Sequence, residues 1–251
     1  MAITAEFLEI LALAATKSPG IAMLAWPTQG NPGGFISFSS YDDWQSFILN
    51  LNLRPGLPDI VVQKFERAIK LYLVAWVDMD LLKAGELVAM TALELVVKDR
   101  YLHKAVVPRR EAVIQKAKKS SKEPTKKDFE RADQISFFDL LKFMVDHDDL
   151  TDDKLRIVQR AGGGSVIAGL IGDVKPGLAG IRNRMAHGHP FDTMPWAGLL
   201  EVVRDLIEYA YRDWPTAAVA PGLSGDDMVD IELQDEFPGR RFDPDFGFDL
   251  G

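Results

Sequence analysis

The stretch Ile181-Arg182-Asn183-Arg184-Met185-Ala186-His187-Gly188 sets a guanidinium, a carboxamide and an imidazole close together in the chain. An imidazole exchanges protons near neutral pH, and a guanidinium offers a planar fork of donors that fits a phosphate. On a helix, Asn183 and His187 are i,i+4 neighbours on one face. Arg182 lies about 140° round the axis from His187 at ~100° per residue, but its long side chain can reach over the shared edge. Such a trio suits acid–base work on a phosphodiester. Spacing alone does not choose among the possible pairs. Four His and fourteen Arg give ~0.7 pairs with four to six intervening residues by chance. Arg184 with His189, and Arg182 with His189, fit as well, although His189 precedes Pro190 and reads as a loop residue. The bland alternative is a helix end, in which Arg-Asn followed by His187-Gly188 caps and stops a helix.

Glu94 is the other candidate, an acid in the apolar run Thr91-Ala92-Leu93-Glu94-Leu95-Val96-Val97. In the functional reading it faces a cleft and orients Arg182; in the other it pairs on the surface with Lys98 at i+4. Lys98 and Arg100 are cleft candidates on the same segment. From Lys104 to Arg131 the chain carries ten Lys/Arg against four Asp/Glu, a local net charge of +6. That segment could grip phosphates or simply stay solvated, and Phe129 is its one stacking aromatic.

Other chemistries fall away. The chain has no cysteine, which removes disulfides, thiolate metal sites and thiol nucleophiles. Asp146-His147-Asp148-Asp149-Leu150-Thr151-Asp152-Asp153 has acids like those of a calcium loop, but Thr151 stands where glycine is needed and Ile157 where the closing glutamate is needed. Gly162-Gly163-Gly164 lacks the Gly-Lys-Ser/Thr ending of a phosphate loop. We therefore expect no metal and no cofactor.

These residues need elements to hold them. The chain has 251 residues, of which 47% are apolar and 26% charged, enough for one sizeable core. Residues 1–57 read as an accessory region: a short helix over Ala5–Ala15, then strands Ile21–Trp26 and Phe35–Phe38 joined by the turn-rich PTQGNPGG as a small hairpin. Tyr41–Leu51 adds a helical turn or two. From Asp59, a possible N-cap, apolar residues fall at spacings of mostly three and four through Trp76. A second helix runs from about Leu81 to Leu102, and the turn near Asp78–Asp80 implies an antiparallel hairpin. Pro108, Pro124 and the missing apolar stripe make Lys104–Arg131 an extended, solvated connection. Helices follow at Phe137–Val145, around Val166–Val174, and at Trp196–Arg212. The fold class is all-α, an antiparallel helical bundle over 58–213. Residues 214–251 read as a flexible acidic tail; from Asp213 onward ten Asp/Glu face two Arg, a local net charge of −8.

Arg182, Asn183 and His187-Gly188, ahead of the last core helix, resemble the Arg-Asn-x-x-x-His signature of the HEPN superfamily (higher eukaryotes and prokaryotes nucleotide-binding domains). The Gly85–Tyr101 segment, GELVAMTALELVVKDRY, is similar to the second helix of many such proteins. The resemblance covers about residues 59–212. It implies a HEPN-like bundle, a homodimer with two motifs facing one cleft, and metal-independent cleavage of RNA. It makes His187 the acid/base group at the RNA 2′-OH or the leaving 5′-oxygen. Arg182 would stabilise the phosphate and Asn183 would position one or the other. Glu94, Lys98, Arg184 and His189 would then be substrate-side residues. A role as a toxin or antiviral defence factor, with an antitoxin or regulatory protein as partner, also comes from the resemblance alone. Two other readings stand beside it: a non-catalytic module that binds RNA, a nucleotide or a protein, and a structural helical adaptor.

No run of ~20 apolar residues stands free of Pro and Gly breaks, so no membrane span is expected. The N-terminus carries Glu6 and Glu9 without a basic leader, which does not suit a secretory signal. The expectation is a soluble, cytoplasmic protein.

Overall fold

Local sequence chemistry starts and stops the elements of this computed structural model, which describes residues 3–15, 22–121, 123–172, 177–187 and 197–215. Helix α1 spans Ala5–Ala15. Strands β1 (Ala22–Ala25) and β2 (Phe35–Phe38) pair antiparallel, with Ala22 opposite Phe38 and Ala25 opposite Phe35. Side chains alternate across this ribbon, as the strand period of two requires. Leu24 and Phe38 are buried, while Met23 and Phe35 face outward. Ser40 caps α2 (Tyr41–Leu49) by accepting from the Asp43 N–H, and Trp44 of that helix is wholly buried, its Nε1 donating to the Tyr72 carbonyl at 3.0 Å.

Helix α3 covers Asp59–Val74, with Pro58 rather than Asp59 at the N-cap. Proline loses nothing there, since its missing N–H would have no helical partner, and Asp59 in the first turn meets the positive end of the helix dipole. Helix α4 (Leu81–Lys119) returns along it after a short turn. The two approach closely because position 85 is glycine: a Cβ there would lie 2.6 Å from Cδ2 of Tyr72.

Helix α4 corrects the expected extended connection at Lys104–Arg131. It runs for 39 residues, straight through Pro108. A proline in a helix interior sacrifices one backbone hydrogen bond and crowds the preceding turn, at a cost of ~3 kcal/mol. The residues after it repay that: Arg109, Arg110, Glu111, Ala112, Gln115, Lys116, Ala117, Lys118 and Lys119 are mostly strong helix formers. The lysines of the last turn also complement the negative end of the dipole. Helix α5 (Lys126–Asp133) opens with a capping box between Thr125 and Asp128 and packs back against α4. Arg110 forks onto the Asp133 carboxylate, and Arg109 pairs with Asp139 at 3.2 Å.

Helix α6 (Phe137–His147) has its own capping box, Ser136 with Asp139. Four helices follow: α7 (Arg156–Ala161), α8 (Val166–Leu170), α9 (Leu178–Ala186) and α10 (Leu199–Ala210). Among the described residues the fold is all-α apart from one hairpin. Helix α4 is its spine, touching α3, α10, α6, α5 and α9.

Trp26, Phe38, Trp44 and Ile48 lie in the same apolar interior as Phe65, Leu93, Leu140 and Leu206. The segment before residue 58 thus shares its core with the helices that follow, and the chain through Thr216 forms one unit. The acidic tail lies outside the described residues, apart from Trp214 and Pro215. So do the expected helix start at Trp196 and the residues 173–176. Among the described residues, no helix is long and apolar enough to cross a membrane.

Candidate functional site

Helix α9 carries the Arg-Asn-x-x-x-His stretch and is fastened by its apolar face. Leu178 and Ala179 are buried, and Ile181 and Met185 pack against the core. These positions recur at three and four residues, so one side of α9 faces α4, α6 and α8. At its start Gly177 lets α9 sit against α8, because a Cβ there would lie 3.0 Å from the Gly169 carbonyl oxygen.

Arg182 is four residues after Leu178 and so projects along the inward edge. Its Nη2 donates to Glu94 Oε2 at 2.5 Å, a bond between helices whose residues are 88 apart in sequence. Its Nη1 donates to Oδ1 of the adjacent Asn183 at 3.2 Å. Its Nε is buried and has no partner among the described residues. A guanidinium has five N–H donors; two are committed here and three have no protein acceptor among the described residues.

Glu94 bonds to both of the residues that its two readings name. One carboxylate oxygen takes Arg182, and the other takes Nζ of Lys98, one turn on, at 2.8 Å. Burial pushes the Glu94 carboxyl up, but the hydrogen bonds and charges of Lys98 and Arg182 outweigh it and hold the pKa below the usual glutamate value. The carboxylate stays ionised and acts as a fixed anchor between two cations.

His187 is the C-cap residue of α9, its backbone N–H donating to the Asn183 carbonyl. Its side chain is exposed. The helix-end reading is therefore correct for its backbone, while the imidazole remains open to solvent. Asn183 is exposed too, as the shared i,i+4 face requires. No hydrogen bond joins the imidazole to Arg182 among the described residues; the arginine reaches inward to α4 instead of over the edge. Arg184 is exposed and makes no ion pair among the described residues. His189 lies outside them.

Arg100 does not belong to this cluster. Its Nε donates to the Ala210 carbonyl at 3.0 Å, and its guanidinium stacks on Tyr211, so it caps the end of α10. The acidic loop is equally committed. Asp148 takes Tyr101 and Arg212, Asp149 takes Lys154, and Asp152 takes the backbone N–H groups that open α8. Among the described residues, no group of three or more His, Asp or Glu could hold a metal ion.

A second charged cluster went unnoticed in the sequence. Glu201 of α10 takes both Nη groups of Arg160 at 2.6 Å, Trp26 Nε1 at 2.8 Å and Arg204 Nη2 at 3.0 Å. Asp205 takes the Ile157 N–H at 2.8 Å and Arg156 Nε at 3.3 Å. It ties α7 and the hairpin to α10. Comparison with protein-family models, curated proteins and solved structures gives no match for this chain.

Proposed function

We propose that this chain is a homodimeric, HEPN-type endoribonuclease that needs no metal, with Arg182, Asn183 and His187 at its active centre. The single observation that carries the reading is the Glu94–Arg182 bond. It fixes a guanidinium with spare donors on the same short helix as an exposed imidazole, the two groups that phosphodiester cleavage requires.

The chemistry follows from those groups. The substrate's own 2′-oxygen forms a bond to phosphorus and the bond from phosphorus to the 5′-oxygen breaks, leaving a 2′,3′-cyclic phosphate and a 5′-hydroxyl. His187 takes the 2′-OH proton, and His187 of the partner subunit supplies one to the 5′-oxygen across a shared cleft. Proton transfer by a positioned histidine contributes ~10²–10⁴-fold. Arg182 meets the charge that builds on the phosphate through its uncommitted N–H groups, and Glu94 holds it there without moving. DNA is inert because it has no 2′-OH.

The test is cleavage of RNA in excess chelator by wild type, Arg182→Ala and His187→Ala, each checked for folding by circular dichroism. The expected result is cleavage by wild type alone, with cyclic-phosphate ends. Equal activity in the two variants, or cleavage of DNA, overturns the proposal. One observation favours a second reading, a non-catalytic module that binds RNA, a nucleotide or a protein. Glu94 already balances the charge of Arg182, and the imidazole is not bonded to it. Tight RNA association with no product from about pH 6 to 8, where histidine titrates, selects that reading.

A further inference from the structure

Helix α4 continues well past the core. Its last buried residue is Ala105, and none from Val106 to Lys119 is buried. At 1.5 Å per residue this exposed length spans about 21 Å. Among the described residues the short α5 supports it, through buried Ala132 and half-buried Phe129, and Arg109 near its base pairs with Asp139 of α6.

The charges on this arm are sorted. Its acids are largely used internally: Asp133 takes Arg110, Asp128 takes Thr125 in the capping box, and Glu130 faces Lys126 at 3.6 Å. Lys116, Lys118, Lys119, Lys127 and Arg131 form no ion pair among the described residues. Lys116 and Lys119 are i,i+3 neighbours and share a face. Between α4 and α5 runs a groove of about 530 Å³ whose lining includes Arg109, Lys116, Ser120, Thr125 and Arg131, with Glu123 and Asp128 the acids along it.

We infer that this arm is a docking surface for the phosphate backbone of a nucleic acid, with Lys116, Lys118 and Lys119 as its principal contacts. Charge complementarity chooses the occupant, because unpaired cations clustered around the end of one helix on an otherwise acidic chain recruit a polyanion. A lipid surface fits less well: the exposed apolar residues of the arm's long helix are Val107 and Ile114, without the Trp, Phe or Leu face of a membrane-binding helix. The preference for RNA over DNA rests on the proposed ribonuclease reading; the attraction itself is blind to the sugar.

The test measures binding without cleavage. Full-length protein is titrated against a labelled ~20-nucleotide 2′-O-methyl oligouridylate, whose blocked 2′-oxygen cannot attack, between about 50 and 200 mM KCl. Lys116→Gln/Lys118→Gln/Lys119→Gln is expected to bind about tenfold or more weakly at the lowest salt. Its plot of log affinity against log salt flattens by about 2, from three lost phosphate contacts at ~0.7 each. A triple variant that binds like wild type overturns the inference, as does a wild type that binds phosphatidylserine vesicles but not the oligonucleotide. Should the triple variant unfold, the three single variants are used, each expected to lower the slope by ~0.7. Cleavage of ordinary RNA is read separately, so an inactive protein whose arm still binds defeats only the nuclease reading.

Discussion

Glu201 and Glu94 each hold an arginine from another helix, yet they leave very different remainders. At both glutamates each carboxylate oxygen is filled, but around Glu201 the partner Arg160 is gripped by two N–H groups, and the side chains of Glu201 and Arg204 are almost wholly buried. Around Glu94 a single N–H of Arg182 is engaged and Lys98 stands half in solvent. Arg182 keeps three donors without a protein acceptor among the described residues. Native structures satisfy nearly all their buried polar groups, so a cluster that closes on itself is built to hold elements together. One that keeps donors over, on a helix that ends in an exposed imidazole, is not closed in this way.

That contrast makes its largest prediction in stability. Glu201→Ala leaves the Trp26 N–H without its acceptor and weakens the hold on Arg160 and on buried Arg204, which keep only Pro27 and Asp205 respectively among the described residues. Breaking a buried pair from one side costs about 3–5 kcal/mol. Urea unfolding should show this as a lower midpoint with an unchanged slope. A loss below about 1 kcal/mol would mean that the α10 cluster is no more a fastening than the α9 one.

Arg182→Ala should behave in the opposite way. Removing a donor aimed at developing charge typically costs about 10²–10³ in rate, whereas the partly exposed pair with Glu94 contributes only about 1 kcal/mol to folding. RNA cleavage and urea unfolding on the same sample separate the two. A variant that unfolds easily yet cleaves normally when folded would move Arg182 into the structural class.

The third effect concerns the arm. Pro108→Ala restores a helical N–H and should stabilise the chain by about 1–2 kcal/mol, the helix gain being offset in part by a more flexible unfolded chain. The measurement is the thermal midpoint, with helical circular dichroism unchanged or slightly higher. A loss of stability would show that the proline is needed where α4 leaves the core.

Pro108 also marks where the sequence was hardest to read. The core half of α4 is legible because Leu82, Met90, Leu93 and Val97 form an apolar face, and the hairpin is legible because PTQGNPGG is dense in turn formers. Beyond Ala105 the apolar face ends, so periodicity falls silent, and a helix there depends on propensity and on pairs with α5 and α6 that sequence does not display. The α10 cluster was hidden for the converse reason. Glu201, Arg204, Asp205 and Glu208 recur at three and four residues opposite the apolar face, the same pattern as a solvated side. Only the packing of α7 and the hairpin over it buries that stripe. At the candidate site, Arg182, Asn183 and Glu94 were readable as residues. What no local pattern could give is the direction of Arg182, which depends on how α9 leans on α4.

The smallest effect is in pH dependence, and it grades the two carboxylates directly. Burial pushes Glu201 up, but the hydrogen bonds from Arg160 and Trp26 and the charges of Arg160 and Arg204 overcome it, so its folded pKa lies below the usual value of 4.5, as that of Glu94 does. A carboxyl depressed in the folded state stabilises the fold above its unfolded pKa and loses that contribution as pH falls through the folded one. The stability gap between wild type and Glu201→Gln should therefore be full near pH 6 and narrow as the pH drops below about 4.5. Glu94→Gln should show the same trend with a smaller gap, since Lys98 is half exposed and water screens its part of the interaction. Equal gaps for the two variants would mean that enclosure adds nothing to the Glu201 interactions. A gap that widened on acidification would mean that these carboxylates are protonated in the folded state, and that Glu94 could not hold Arg182 as an ion pair at all.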